Sequence, residues 1–90
     1  MIWSPHARDG FREILRFYRK RNGSNDYGRK VSERLKLKLA RYLVFPERGE
    51  VMGAENRRYF VCEPFRVCYR FTDTEFEIVE VWDDAVIRMN

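Results

Sequence analysis

Residues 58–82 read RYFVCEPFRVCYRFTDTEFEIVEVW, and this stretch decides the fold. Arg58 to Cys62 is rich in strand-forming residues, and Glu63-Pro64-Phe65 can turn the chain. Arg66 to Phe71 then alternates, with Val67, Tyr69 and Phe71 on one side. Thr72-Asp73-Thr74 turns again, and Glu75 to Trp82 is a third run. Three such runs joined by tight turns predict an antiparallel meander. The last run has no single phase: Phe76, Ile78 and Trp82 share one face with Glu80 among them, while Val79 and Val81 take the other.

The period is different before Gly53. Ser4-Pro5 is a helix start, because serine can cap and proline is tolerated in the first turn. Ala7, Phe11, Ile14, Leu15 and Tyr18 then fall on one helical face, predicting a helix from Pro5 to Lys20. Gly10 interrupts it, at a cost of about 1 kcal/mol relative to alanine. Arg21-Asn22-Gly23-Ser24-Asn25 is a turn by composition. Its Asn22-Gly23-Ser24 matches a glycosylation sequon, but without an export signal it reads as a turn. Asn25 or Asp26 can cap a second helix whose face is Tyr27, Val31, Leu35, Leu39, Tyr42 and Leu43, ending near Val44 before Pro46 and Gly49. Leu37 lies well off that face. Two helices on a short turn form an antiparallel hairpin. Ile2-Trp3 is left as the end of a very short first strand. The expected architecture is α+β: a helical hairpin packed on an antiparallel sheet of three main strands plus a short N-terminal edge strand, in a single domain over residues 1–90.

The 90-residue chain is 44% hydrophobic and 16% aromatic, which suits a small core built from large rings. No apolar run reaches the roughly 18 residues of a membrane span, and no apolar segment follows Met1-Ile2-Trp3-Ser4-Pro5 as a signal peptide would require, so a cytoplasmic protein without membrane contact is expected. Cys62 and Cys68 make no disulfide framework; they read as small buried apolar groups, or as a pair facing each other across the hairpin. With His6 they lack metal-ligand spacing, so neither metal nor cofactor is expected. The net charge of +4 is unevenly placed. Residues 1–48 hold 13 Lys/Arg against 5 Asp/Glu, and residues 49–90 hold 5 against 9. A basic first half suits a polyanion or an acidic partner segment, or is simply a solvated surface. Arg8, Arg12, Arg16 and Lys20 repeat down the polar side of helix one. With Phe17 and Leu37, at or beyond the rims of the apolar faces, they are candidates for nucleic-acid or partner contact.

Several local motifs resemble the RelE/ParE superfamily of toxins from type II toxin–antitoxin systems. They are Trp3-Ser4-Pro5-His6-Ala7 at the opening, Glu13-Ile14-Leu15 and Tyr18 in helix one, and Arg21-Asn22-Gly23-Ser24 at the turn. Leu43 and Pro46-Glu47-Arg48-Gly49 leave helix two, Asn56-Arg57-Arg58 and Phe65-Arg66-Val67-Cys68-Tyr69 lie on strands, and Ile78-Val79-Glu80-Val81-Trp82-Asp83 closes the sheet. The resemblance spans residues 2–83. It implies a growth inhibitor silenced by a cognate antitoxin, acting either on DNA gyrase, as in ParE, or by cleaving ribosome-bound messenger RNA, as in RelE. An inactive binding module on the same fold is the alternative. Relatives begin several residues earlier, and RNA-cleaving members carry an arginine just after the last strand. Here Asp83-Asp84-Ala85-Val86-Ile87 follows, and Arg88 is the only later basic residue.

RNA cleavage needs a base for the 2′-OH, cations for the phosphorane and an acid for the leaving oxygen. By resemblance Arg66 matches a catalytic arginine. Arg58, Arg70, Tyr59 and Tyr69 are its neighbours, giving Arg66, Arg58 and Tyr69 as the catalytic candidates. Against them stand plainer roles: Arg66 or Arg70 paired with a nearby acid, Tyr69 in the core and His6 exposed in a first helical turn. Glu75, Glu77, Glu80, Asp83 and Asp84 would also repel an RNA backbone unless they face away.

Overall fold

The computed structural model describes residues 1–53 and 56–83; the tail with Arg88 lies outside them. The elements follow as β1 (Ile2–Trp3), α1 (Pro5–Asn22), α2 (Asp26–Val44), a single 3-10 turn (Pro46–Arg48), β2 (Glu50–Val51), β3 (Arg57–Cys62), β4 (Phe65–Phe71) and β5 (Phe76–Trp82). The expected α+β architecture is present, with two helices against one sheet. The sheet has five strands in the order β1-β5-β4-β3-β2.

Two features of the sheet differ from the expected antiparallel array. β1 runs parallel to β5, pairing Ile2 with Glu77 and Trp3 with Ile78, so the sheet is mixed. β2 adds a second edge strand through Glu50–Tyr59 and Val51–Arg58. Two residues are too few to show an alternating pattern, which is why the sequence gives no sign of β2.

Ser4 fixes the corner between sheet and helix. Its hydroxyl accepts from the Ala7 N–H at 3.0 Å, capping α1, and donates to the Val79 carbonyl at 2.9 Å. Its own N–H donates to the Ile78 carbonyl at 3.0 Å. α1 outruns its expected end by two residues, to Asn22. Arg19, Lys20 and Arg21 complement the dipole there, and Gly23 closes the helix at φ 72°, a left-handed conformation that glycine adopts without strain. Asn25 stands at the cap position of α2, but its side chain makes no capping bond.

The core lies between the hairpin and one face of the sheet. Ala7, Ile14 and Tyr18 from α1 and Val31, Leu35 and Leu39 from α2 meet Phe60, Phe65, Val67, Tyr69, Phe76, Ile78 and Val81. Leu43, expected on this face, is exposed instead. Tyr42 stacks on Phe60 with ring centroids 4.2 Å apart, and Tyr69 stacks on Phe76 at 4.7 Å.

The ambiguous phase of the last strand has a physical cause. Cys68 pairs with Glu80 but Tyr69 pairs with Ile78, so Val79 is an extra residue in β5. A bulge of this kind shifts the alternation by one. Phe76 and Ile78 face the core before it, and Val81 faces the core after it. Trp82, expected beside Phe76 and Ile78, is therefore on the other face and half-buried.

The bulged strand also explains Gly10. A β-carbon there would lie 3.0 Å from the Val81 carbonyl oxygen, so the glycine lets α1 approach the strand backbone closely.

Candidate functional site

The three catalytic candidates do not converge. On β4, Tyr69 shares a face with Phe65 and Val67, toward the helices, whereas Arg66 points to the opposite, helix-free face and is exposed. Arg58 lies directly across from Tyr69 and so shares its face.

Tyr69 is fully buried. Its hydroxyl donates to the Pro46 carbonyl at 2.6 Å and accepts from the Gly49 N–H at 3.0 Å. Burial pushes its pKa above the ordinary tyrosine value, and the Gly49 hydrogen bond pulls the other way. Arg58 donates through Nη1 to the carbonyls of Glu47 and Gly49, both at 2.9 Å, with its guanidinium 5.9 Å from the Phe71 ring centroid. Both residues thus hold the Pro46–Gly49 segment against the sheet.

The helix-free face is a ladder of three rungs. Arg57, Arg70 and Glu77 form the first; Tyr59, Cys68 and Glu80 the second; Val61, Arg66 and Trp82 the third. Arg70 Nε donates to Glu77 Oε1 at 2.6 Å, so the neighbour expected to be engaged by an acid is engaged, by Glu77. Glu80 also lies 3.3 Å from His6 Nε2, which is exposed in the first turn of α1. Sequence reading passed over Trp82 and Val61 as members of this face. For Trp82 the bulge hid the phase; for Val61 the signal was present in its alternation with Phe60.

Cys62 and Cys68 do not face each other, contrary to one expectation. Cys62 lies opposite Phe65 and Cys68 opposite Tyr59, so their side chains emerge on opposite faces. Both are buried and free, and burial raises both thiol pKa values. Among the described residues no group of three or more His, Cys, Asp or Glu could hold a metal ion.

The helical candidates form two separate surfaces. Arg8, Arg12, Arg16 and Lys20 are all exposed along α1, with Arg16 held by Glu13 at 2.7 Å. Phe17 is half-buried, its ring edge-on to Tyr18 at 5.1 Å. Leu37 is 73% exposed on α2. Lys38, the next residue, donates through Nζ to the Val61 carbonyl, and Arg34, about one turn before Leu37, donates through Nη1 to the Glu63 carbonyl at 3.0 Å. These two cations join α2 to the outer edge of β3.

A carboxylate is buried where β5 ends. Asp83 is 3% exposed and accepts from the Tyr18 hydroxyl at 2.6 Å. Burial foremost, then this bond and the Asp83 charge, drives the Tyr18 pKa well above the usual range. Among the described residues no helix is long and apolar enough to cross a membrane.

A family model described as the ParE toxin of the type II toxin–antitoxin system parDE matches residues 1–86. No curated protein matches the chain.

Proposed function

The chain belongs to the ParE toxin family of type II toxin–antitoxin systems, and from that premise we propose that it inhibits growth by binding DNA gyrase, without itself catalysing a reaction. Membership implies a cognate antitoxin as partner. The gyrase reading is favoured by one observation. Arg66 stands on the helix-free face, while Arg58 and Tyr69 stand on the other and are spent on the Pro46–Gly49 segment. A phosphoryl-transfer site needs its acid, base and cations within reach of one phosphate. Of the three candidates only Arg66 faces that side, and the neighbouring Arg70 is engaged by Glu77, while Glu77 and Glu80 share the face. A binding surface needs no such convergence, and a ladder of arginines, Tyr59 and Trp82 has the residue types that dominate protein interfaces.

The test is tightly controlled induction in a bacterial host without antitoxin, with RNA integrity and plasmid supercoiling read from the same culture. The expected result is growth arrest with intact messenger RNA and altered supercoiling, and Arg66→Ala should not convert arrest into normal growth through any effect on RNA. Messenger RNA loss that Arg66→Ala abolishes would overturn the proposal in favour of ribosome-dependent cleavage. Normal growth of the wild type would leave a binding module on a toxin fold.

A further inference from the structure

Residues 5–44, the helical hairpin, hold 12 Lys/Arg against 4 Asp/Glu, and the two signs are not mixed evenly. On α1, Arg8, Arg12, Leu15 and Arg19 follow i, i+4, i+7, i+11 spacing and share one side of the helix. On α2, Asn25, Arg29, Ser32 and Lys36 repeat that spacing. Neither set contains an acid, because Asp9, Glu13, Asp26 and Glu33 all fall further round their helices. The two sides meet. A cleft of about 210 Å³ between the helices is lined by Leu15 and Arg19 from α1 and by Gly28, Arg29 and Ser32 from α2, with Ser24 at the turn. Its floor is low because Gly28 carries no side chain; a β-carbon there would meet Leu15 Cδ2 at 3.4 Å. Arg12, Arg19, Arg29 and Lys36 are exposed, and Leu15, Gly28 and Ser32 beneath them are half-buried.

Two walls of cations over a floor of small groups suit a chain of regularly spaced anions. Residues four apart on a helix rise by about 6 Å. Each strand of a DNA duplex carries a phosphate about every 3.4 Å along the axis, so every cation of the track has one within reach. The acids nearby do not lock the track. Arg29 Nη2 meets Asp26 Oδ1 at 3.0 Å, and Arg16, beside the track, meets Glu13 at 2.7 Å, both in open solvent where a phosphate competes.

Other partners fit less well. A protein segment needs apolar anchors as well as charge. Leu15, half-buried, is the apolar side chain among the walls and floor of the cleft. Leu37 and Val44, exposed on α2, lie on a different side of that helix. Beside Arg8 the surface turns apolar, at Ile2, Trp3 and Phe11, and the track ends there. Single-stranded RNA is held by bases stacked on aromatic rings. No exposed residue of α1 or α2 is a Phe, Tyr or Trp.

We propose that this cleft, with Arg12 and Arg19 on one wall and Arg29 and Lys36 on the other, binds the phosphate backbone of duplex DNA without regard to sequence. The four cations displace counterions condensed on the duplex, so binding weakens steeply with salt. The proposal goes beyond the gyrase reading and does not depend on it, since the cleft grips DNA whatever the target of the toxin.

The test uses the full chain made by cell-free synthesis. A fluorescein-labelled duplex of about 20 base pairs is followed by anisotropy at several salt concentrations. The expected dissociation constant is micromolar at low salt, with a log–log slope against salt of about −3 to −4 for four phosphate contacts. Changing the base sequence should leave both unchanged. Arg12→Ala, Arg19→Ala and Lys36→Ala together should weaken binding by about tenfold or more and reduce the slope by about 3. Lys30→Ala with Arg41→Ala removes two exposed cations from the opposite side of α2 and should weaken binding by less than about twofold. All five side chains are exposed, so neither variant disturbs the core. Absence of binding at low salt would overturn the proposal. So would equal loss in the two variants, which would mean diffuse charge rather than a track. Tighter binding to a single-stranded RNA of the same length would overturn it in favour of RNA. Displacement by polyglutamate as efficient as by unlabelled duplex, at equal charge, would overturn it in favour of an acidic protein.

Discussion

The Tyr69 hydroxyl occupies the place where a β-carbon on Gly49 would have to go. A Cβ built on Gly49 falls 2.2 Å from that oxygen and 2.9 Å from the ring carbon that bears it. The ring is held by stacking on Phe76, so it cannot swing aside, and the hydroxyl is fixed between Pro46 and Gly49. Gly49→Ala should destabilise the fold by about 1–3 kcal/mol through overpacking. Tyr69→Phe should cost about 1–3 kcal/mol by leaving the Gly49 N–H and Pro46 carbonyl without their partner. Urea unfolding of both variants checks the pair. The double variant should cost less than the two single costs added, because the two residues contest one space.

Gly10 gives a prediction with the opposite sign from helix propensity. Replacing a glycine inside a helix by alanine normally gains about 1 kcal/mol. Here the new methyl group would press on the Val81 carbonyl at 3.0 Å, and that carbonyl belongs to a strand at the edge of the core. Gly10→Ala should therefore give no stabilisation, or a net loss, in a thermal melt. A gain of about 1 kcal/mol would show that α1 shifts freely over β5.

Stability at alkaline pH should depend on Tyr18. Its folded pKa lies above the ordinary 10.0 because of burial first and Asp83 second. Below pH 10 both folded and unfolded chains keep the phenol proton, and its contribution is fully present. Above that value the unfolded chain ionises while the folded chain still holds the proton, so stability falls as pH rises. Tyr18→Phe should be less stable at neutral pH, by about 1.5–3 kcal/mol for a hydrogen bond to a charged partner, and should lose this alkaline decline. Unfolding free energies measured from pH 7 into the alkaline range would show whether the two curves converge.

Thiol chemistry should report global unfolding. Cys62 and Cys68 are buried on opposite faces, and burial holds both as thiols rather than thiolates. A maleimide-type reagent should modify the native protein slowly and the urea-unfolded protein quickly at both positions. Oxidation should yield no intramolecular disulfide in the native state. Fast labelling of Cys68 alone would mean that the helix-free face opens locally.

Much of this architecture is written in local periodicity. Ala7, Ile14 and Tyr18 repeat at helical spacing, Val67 and Tyr69 alternate at strand spacing, and Ser4, Gly23 and Pro46 punctuate the elements. These signals act between residues close in sequence, so the helical hairpin and the meander were legible without coordinates. Part of the candidate site was legible too: Arg66 and Tyr69 are three residues apart on one strand, a spacing that by itself puts them on opposite faces. The tertiary structure decided the rest. It placed Arg58 with Tyr69 through cross-strand register, put β1 parallel to β5, and left Val61 on an edge guarded by Lys38. It also inserted Val79 as the bulge that turns Trp82 away from Phe76 and Ile78. The alternation of β5 allows either phase on each side of that residue. Only its hydrogen bonding to a strand already docked on the helices fixes which side chains enter the core, and that pairing is a property of the assembled sheet rather than of any one segment.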